Sequence, residues 1–521
     1  MKKRIYKILL LAAMLTTGPM MLAGCGEDGP EPPKKEEPDT PVKPDKPPTP
    51  PTPTTVTYNL PGRELRAVWV ATVGRMDWPK ANVENLQKEE FTKYLDKFEK
   101  YHVNAVVMQI RPCADAFYKS EYEPWSDVLT GRQGKDPGYD VLAWMIDEVH
   151  KRGMEFHAWM NPYRVSNNAT SFATSGSATH PAKVHPEWTM RYDNLLLYRP
   201  ANPEVKKLLV NIVDEVITRY DVDGIHFDDY FYPYPKTGVA IDDAADYAKY
   251  GAGYSNVGDF RRAQVDEVIK NIHDLIVAKR PGVVFSISPF GIWRNASSDA
   301  AGSDSHGLQN YDDLYADVRK WCQEGWIDLV APQLYNSTTN YAMNFTKMAQ
   351  WWSNNNFKAA LAIGHALYRF GVEAEGAPYQ TLDQLSDQFR IARSHKNVCG
   401  SFLFNATVFN ENKINVLSRL EQVYATNMLI PELGRLTEAK PAKAANLAAD
   451  GRKLTWTAAQ GDVRYAVYSV KPSSVENVYD AKLLKVVSAP EFTAPSSGRY
   501  AVSVLNRDNT ESELTQPLKV D

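Results

Sequence analysis

The run Gly224-Ile225-His226-Phe227-Asp228-Asp229-Tyr230 sets two carboxyl groups beside a histidine and a tyrosine. In an extended strand alternate side chains share a face, so Gly224, His226, Asp228 and Tyr230 fall on one side and Phe227, Asp229 and Phe231 on the other. A carboxyl among aromatic side chains is partly desolvated, which raises its pKa and suits it to donate a proton near neutrality. Asp228 is therefore the leading candidate for catalysis. Asp229 is the second: it points outward, or it shares the cleft with Asp228 if the strand ends before it. The bland alternative is that either carboxylate only orients Arg111 or Arg164.

Polar groups end four other apolar runs in the same manner. These are Gln109-Ile110-Arg111-Pro112, continuing to Asp115; the run from His157 through Trp159, Asn161 and Tyr163 to Arg164; Gln333-Leu334-Tyr335-Asn336; and the stretch holding His365 and Tyr368. Trp69, Trp78, Trp125, Trp159, Tyr163, Tyr230, Trp293 and Tyr335 lie at or just beyond such ends, and flat apolar rings are surfaces on which sugars stack. Gathered at one end of a fold, these groups form a carbohydrate groove. Hydrolysis of a glycosidic bond usually takes two carboxyls flanking it, and Asp77, Asp115 and Asp304 are candidates to complete the set. A substrate with a 2-acetamido group offers another route, its own amide oxygen acting as nucleophile. The sequence leaves both routes open.

The elements that must position these groups alternate. Short runs rich in β-formers (65–73, 104–111, 155–162, 224–230, 283–292, 328–335, 358–368 and 400–408) are separated by amphipathic stretches, for example 141–152, 203–220, 260–279 and 382–395. Asn202-Pro203 reads as a helix start and Lys151-Arg152-Gly153 as a helix end. Eight β/α units over residues 61–430 predict an α/β fold of the (β/α)8 TIM-barrel type, whose reactive residues sit at the C-terminal ends of the strands. A doubly wound sheet would show fewer units and a phosphate-binding glycine fingerprint, which is not found. Residues 440–521 change texture to short alternating runs, such as Lys453-Leu454-Thr455-Trp456 and Tyr500-Ala501-Val502-Ser503-Val504. They predict a small all-β sandwich of fibronectin type III-like character.

Residues 1–25 read as an export signal: Lys2, Lys3, Arg4 and Lys7 precede a short apolar stretch, and Leu22-Ala23-Gly24-Cys25 resembles a lipobox with Cys25 lipidated. Residues 26–60 are expected to be an extended tether, whose stretch from Pro30 to Pro53, with eleven prolines, reaches up to about 75 Å. The expected location is the cell envelope, with a lipid anchor in the outer membrane. Glu27-Asp28 just after the cysteine resembles a surface-export signal. Cys113, Cys322 and Cys399 show no paired spacing, so neither a disulfide framework nor a structural zinc site is expected, and no cofactor or metal is predicted. A formal net charge of -4 gives no field for polyanions, so nucleic acid is not an expected partner.

Several of these motifs together resemble one bacterial family, glycosyl-hydrolase-like 10. They are Gln109 to Pro112 with Asp115-Ala116-Phe117-Tyr118, Glu123-Pro124-Trp125-Ser126, His157 to Arg164, and Asp223 to Tyr230, and the likeness runs from about Arg63 to Tyr424. The resemblance implies a TIM-barrel glycoside hydrolase, often exported, acting on peptidoglycan glycan strands or a related amino-sugar polysaccharide, with its sugar site built from those motifs. The glutamate pair ending strands four and seven of better-known barrel glycosidases is absent. Asp228-Asp229 stands in one place and His365 near the other, so no mechanism carries over from those enzymes. Two alternatives stand beside this reading: a glycan-binding surface lipoprotein without catalysis, and a metal-dependent hydrolase liganded by His157, His226 and Asp228.

Overall fold

The computed structural model describes residues 56–434 and 439–521, so the expected signal, Cys25 and most of the tether lie outside the described residues. Eight parallel strands close into a barrel in sequence order: Leu65–Val70, Ala105–Arg111, Glu155–Met160, Gly224–Phe227, Val284–Ile287, Leu329–Val330, Ala360–Ala366 and Val398–Phe404. Seven fall within the runs expected to form them, the sixth with only two residues in regular pairing, and the eighth starts two residues ahead of its run. Strands covered on both faces are apolar on both. Every residue of Ala105–Arg111 is buried, with Val106, Met108 and Ile110 toward the helices and Ala105 and Val107 in the barrel interior.

The helices behave as their capping residues dictate. The Asn202 side chain accepts the backbone N–H of Glu204 at 2.9 Å, opening the helix Pro203–Arg219, which buries Val205, Leu209, Ile212 and Val216 against the barrel. The helix Val141–His150 starts from Asp140, whose carboxylate accepts from the Ala143 N–H at 3.0 Å.

Two further sheets follow the barrel. A three-stranded sheet (Ala445–Asp450, Lys453–Thr457, Glu491–Thr493) faces a five-stranded one, and the two share a core of Leu454, Trp456, Tyr465, Val467, Tyr500 and Val502. One strand of the larger sheet comes from the other end of the chain. Thr57–Asn59, expected as tether, pairs in parallel with Val478–Asp480. The sheets close the barrel at the N-terminal ends of its strands. Asn509 donates to Glu155 inside the barrel at 2.8 Å, Arg507 pairs with Asp221 at 2.6 Å and Lys485 with Glu99 at 2.7 Å. Gly153 (φ 74) lies so close that a Cβ there would stand 2.3 Å from the Val486 carbonyl oxygen, so the turn expected as a helix end is also a docking point.

Candidate functional site

At the opposite, C-terminal face of the barrel the mouth holds a cavity of about 600 Å³. The fourth strand ends at Phe227, so Asp228 and Asp229 both leave the strict alternation, and both line the cavity. Around them stand Gln109, Trp159, Asn161, Arg164, Tyr230, Gln333 and Tyr335, with Trp69 and Phe404 behind. One wall comes from a small antiparallel sheet after the third strand, made of Arg164–Ser166, Thr189–Tyr192 and Leu195–Tyr198. It contributes Tyr192, Asp193, Leu195 and Leu197, and its turn is pinned by an ion pair between Asp193 and Lys236.

The two carboxyls have different surroundings. Asp228 is surrounded by donors: Trp159 Nε1–H reaches Oδ2 at 3.0 Å, Asn161 Nδ2 reaches both oxygens at 3.0 and 3.1 Å, and the Tyr230 N–H reaches Oδ1 at 3.2 Å. Burial raises its pKa, opposed by the Arg164 charge and these donors. They suit it to carry negative charge. Asp229 accepts from the Tyr234 hydroxyl, and burial followed by the neighbouring Asp228 charge pushes its pKa up to about 6. It is the group that keeps a proton closer to neutrality. Tyr234 was not singled out in the sequence, although the dense aromatic run Tyr230 to Tyr234 directly after the aspartates is the signal that marks it.

Other lining groups hold the frame. Gln109 Oε1 accepts from the N–H groups of Thr72 and Val73, each at 2.9 Å, fixing the loop after the first strand. The Asn161 side-chain oxygen accepts from the Arg164 N–H at 2.8 Å, and the Arg164 guanidinium lies 4.6 Å over the Tyr230 ring. Gln333 Nε2 donates to the Ser288 carbonyl at 3.0 Å.

Six expected sugar contacts stand elsewhere. His226 is below the cavity floor: Trp69 Nε1–H donates to its Nε2 at 3.1 Å, while Ser286 and Ser288 stand 2.8 and 2.9 Å from Nδ1 and Nε2. That pattern fixes a neutral ring protonated on Nδ1, and burial holds its pKa well below the ordinary value. His157 points inward two residues below Trp159, 3.1 Å from Glu155, and the missing side chain of Gly224 leaves room for it. His365 faces outward, stacked on Phe389 and bonded to Gln388 and Ser401. Tyr163 is packed in the helix layer. Arg111 forms a buried bidentate pair with Glu123 at 2.6 and 2.7 Å. Asp115 lines a neighbouring cleft and not this cavity.

The candidates for a second carboxyl across the cavity are placed away from it as well. Asp77 is buried in a clamp that accepts from the Ala71 N–H, Asn405 and Thr407 at 2.6 to 3.0 Å, and Asp304 pairs with Lys347 at 2.6 Å on the surface. His157, His226 and Asp228 do not converge, and among the described residues no three His, Cys, Asp or Glu side chains gather around a common point.

The profile of the family described as Glycosyl hydrolase-like 10 matches residues 64–379. Glycosyl hydrolase YngK of Bacillus subtilis (strain 168) is 45% identical over 388 residues, 73% of this chain and 76% of that protein. Glycosyl hydrolase DigH of Escherichia coli (strain K12) is 36% identical over 369 residues, 67% of this chain and 84% of that one. Of solved structures, the glycoside hydrolase domain of PgaB (BpsB) from Bordetella bronchiseptica superposes with a TM-score of 0.47 at 9% identity, covering 69% of this chain and 98% of that chain. A barrel with paired aspartates at its mouth and this extent of sequence match lead to one conclusion: the chain belongs to the glycosyl hydrolase-like 10 family and is an enzyme of the glycoside hydrolase class.

Proposed function

We propose that the enzyme cleaves the glycan strands of peptidoglycan or a related amino-sugar polysaccharide, with Asp229 as general acid and the substrate's own acetamido oxygen as nucleophile. The observation that carries this reading is the unequal aspartate pair: a carboxyl held partly protonated by burial and its neighbour's charge, beside one surrounded by donors. Asp229 gives its proton to the glycosidic oxygen as the bond from that oxygen to the anomeric carbon breaks. The acetamido oxygen closes on the anomeric carbon, and Asp228 orients the amide N–H and balances the charge formed. Water, relieved of a proton by Asp229, then opens the ring. Among the described residues the other carboxyl lining the cavity is Asp193, engaged with Lys236, which favours a nucleophile brought by the substrate. In the same reading, Cys25 anchors the enzyme at the cell envelope and the proline-rich tether lets the barrel reach its polymer.

The test is to incubate the protein, beside Asp228→Asn and Asp229→Asn, with peptide-free glycan strands and with the same strands after removal of the N-acetyl groups, reading new reducing ends by mass spectrometry. Cleavage of the acetylated strands is expected to fall at least about a hundredfold in both variants while strand binding persists, and de-N-acetylated strands should stay intact. Equal cleavage of both strand types would overturn substrate assistance. Strand binding without cleavage by any form would make the protein a glycan holder.

A further inference from the structure

Beside the catalytic cavity, on the same face of the barrel, lies a second cleft of about 630 Å³. Val73 and Asn167 line both. The cleft is built by the loops after the first three strands: Arg75 from the first, Cys113 and Asp115 from the second, Asn168 and Ser171 from the third. Its walls combine apolar surface from Phe172 and Val165 with amide and hydroxyl groups, the mixture that takes a sugar ring by its face and its edge. One buried polar group in it is a carboxyl. Asp115 is only 1% exposed, its contacts with the Cys113 N–H and Gln133 Nε2 are long, at 3.4 and 3.3 Å, and the Ser126 hydroxyl is its further partner. Burial and the nearby Asp127 push its pKa up to about 7, so at neutrality its carboxyl still carries a proton much of the time and can donate to a hydroxyl oxygen. Arg132, on the rim, makes no side-chain hydrogen bond or ion pair among the described residues.

We infer that this cleft is a second arm of the glycan site, holding sugar units that continue past the scissile bond, so that the enzyme cuts within a chain and prefers long strands to short ones. The inference rests on the reading of the neighbouring cavity as the place of cleavage. Two adjoining clefts, each of a volume typical for a small ligand, provide room for a chain running through the site, which a single end-binding pocket would not need.

The test fills the arm without touching the aspartates. Ser171 is exposed on the short helix Ala169–Ser175, and Ser171→Trp places a ring in the cleft; Ser175→Trp does so from the next turn. Thr174→Trp, on the same helix outside the cleft lining, is the control. In the full-length protein, kcat/KM on long peptide-free strands is expected to fall about tenfold or more in the two filled variants. That on a tetrasaccharide should change less than about twofold, and products should shift from internal fragments to others. The same substitutions on an Asp229→Asn background should weaken binding of long strands and leave tetrasaccharide binding unchanged. An unchanged ratio of long to short, in cleavage and in binding, in folded Ser171→Trp and Ser175→Trp proteins would overturn the second arm. Absence of cleavage by the wild type with the binding difference intact would instead overturn the hydrolytic reading and leave the arm standing.

Discussion

Asp229 is maintained at a cost to the fold, and the cost is measurable. Its pKa rises from 3.8 to about 6, so the folded state holds a proton that the unfolded chain gives up between those values. The sign follows: wild-type stability is lost as pH rises from about 4 through 6, by roughly 3 kcal/mol from this one group. Asn in its place still accepts from Tyr234 and has no charge to bury. Asp229→Asn should therefore match the wild type near pH 4, exceed it by about that amount at pH 8 in denaturant unfolding, and be inactive. Wild-type kcat should fall as pH rises through about 6, when the acid loses its proton. An advantage of the variant over the wild type no larger at pH 8 than at pH 4 would show that Asp229 is not held protonated. The aspartate pair was legible because Asp-Asp after an apolar run is conspicuous. How the two differ was not, because that depends on Trp159 and Asn161 at the end of the third strand and on how the loop folds Tyr234 back onto Asp229.

At the scale of the elements, strands were readable because burial on both faces leaves nearly unbroken apolar runs, and helices because their stretches are amphipathic and Asn202-Pro203 announces a start. Side-chain direction at strand ends was less readable. Between Gln109 and Arg111 the pairing shifts register, so Gln109 lines the cavity while Arg111 turns into the loop that follows. Its partner Glu123 sits twelve residues further on, at a distance no periodicity reports. There Arg111 joins that loop to the end of the third strand through the Asn161 and Pro162 carbonyls. Arg111→Ala would leave Glu123 buried without its counter-charge, and should destabilise the protein by about 3–5 kcal/mol in thermal or urea unfolding. KM, measured at a temperature where the variant remains folded, should change little. A variant that melts normally but binds glycan weakly would restore Arg111 to the substrate.

The molecule as a whole separates its two ends by function. The C-terminal ends of the barrel strands form the cavity and its neighbouring cleft, while the N-terminal ends are sealed by the β-sheets, which put Asn509 against Glu155 and Arg507 against Asp221. The texture change near residue 440 marks the sandwich in the sequence. That Thr57–Asn59 completes its larger sheet could not be read there, because a three-residue parallel pairing with Val478–Asp480 leaves no local pattern. With both ends of the folded chain joined in one sheet and that sheet sealing the barrel, the two parts should unfold together. Calorimetry is expected to show one transition for residues 56–521. Asn509→Ala removes a donor from the buried Glu155 carboxylate, so it should lower the stability of that whole transition by about 1–3 kcal/mol while leaving kcat/KM unchanged. Two separate transitions, with only the smaller displaced by the substitution, would mean that the sheets fold alone and rest on the barrel without stabilising it.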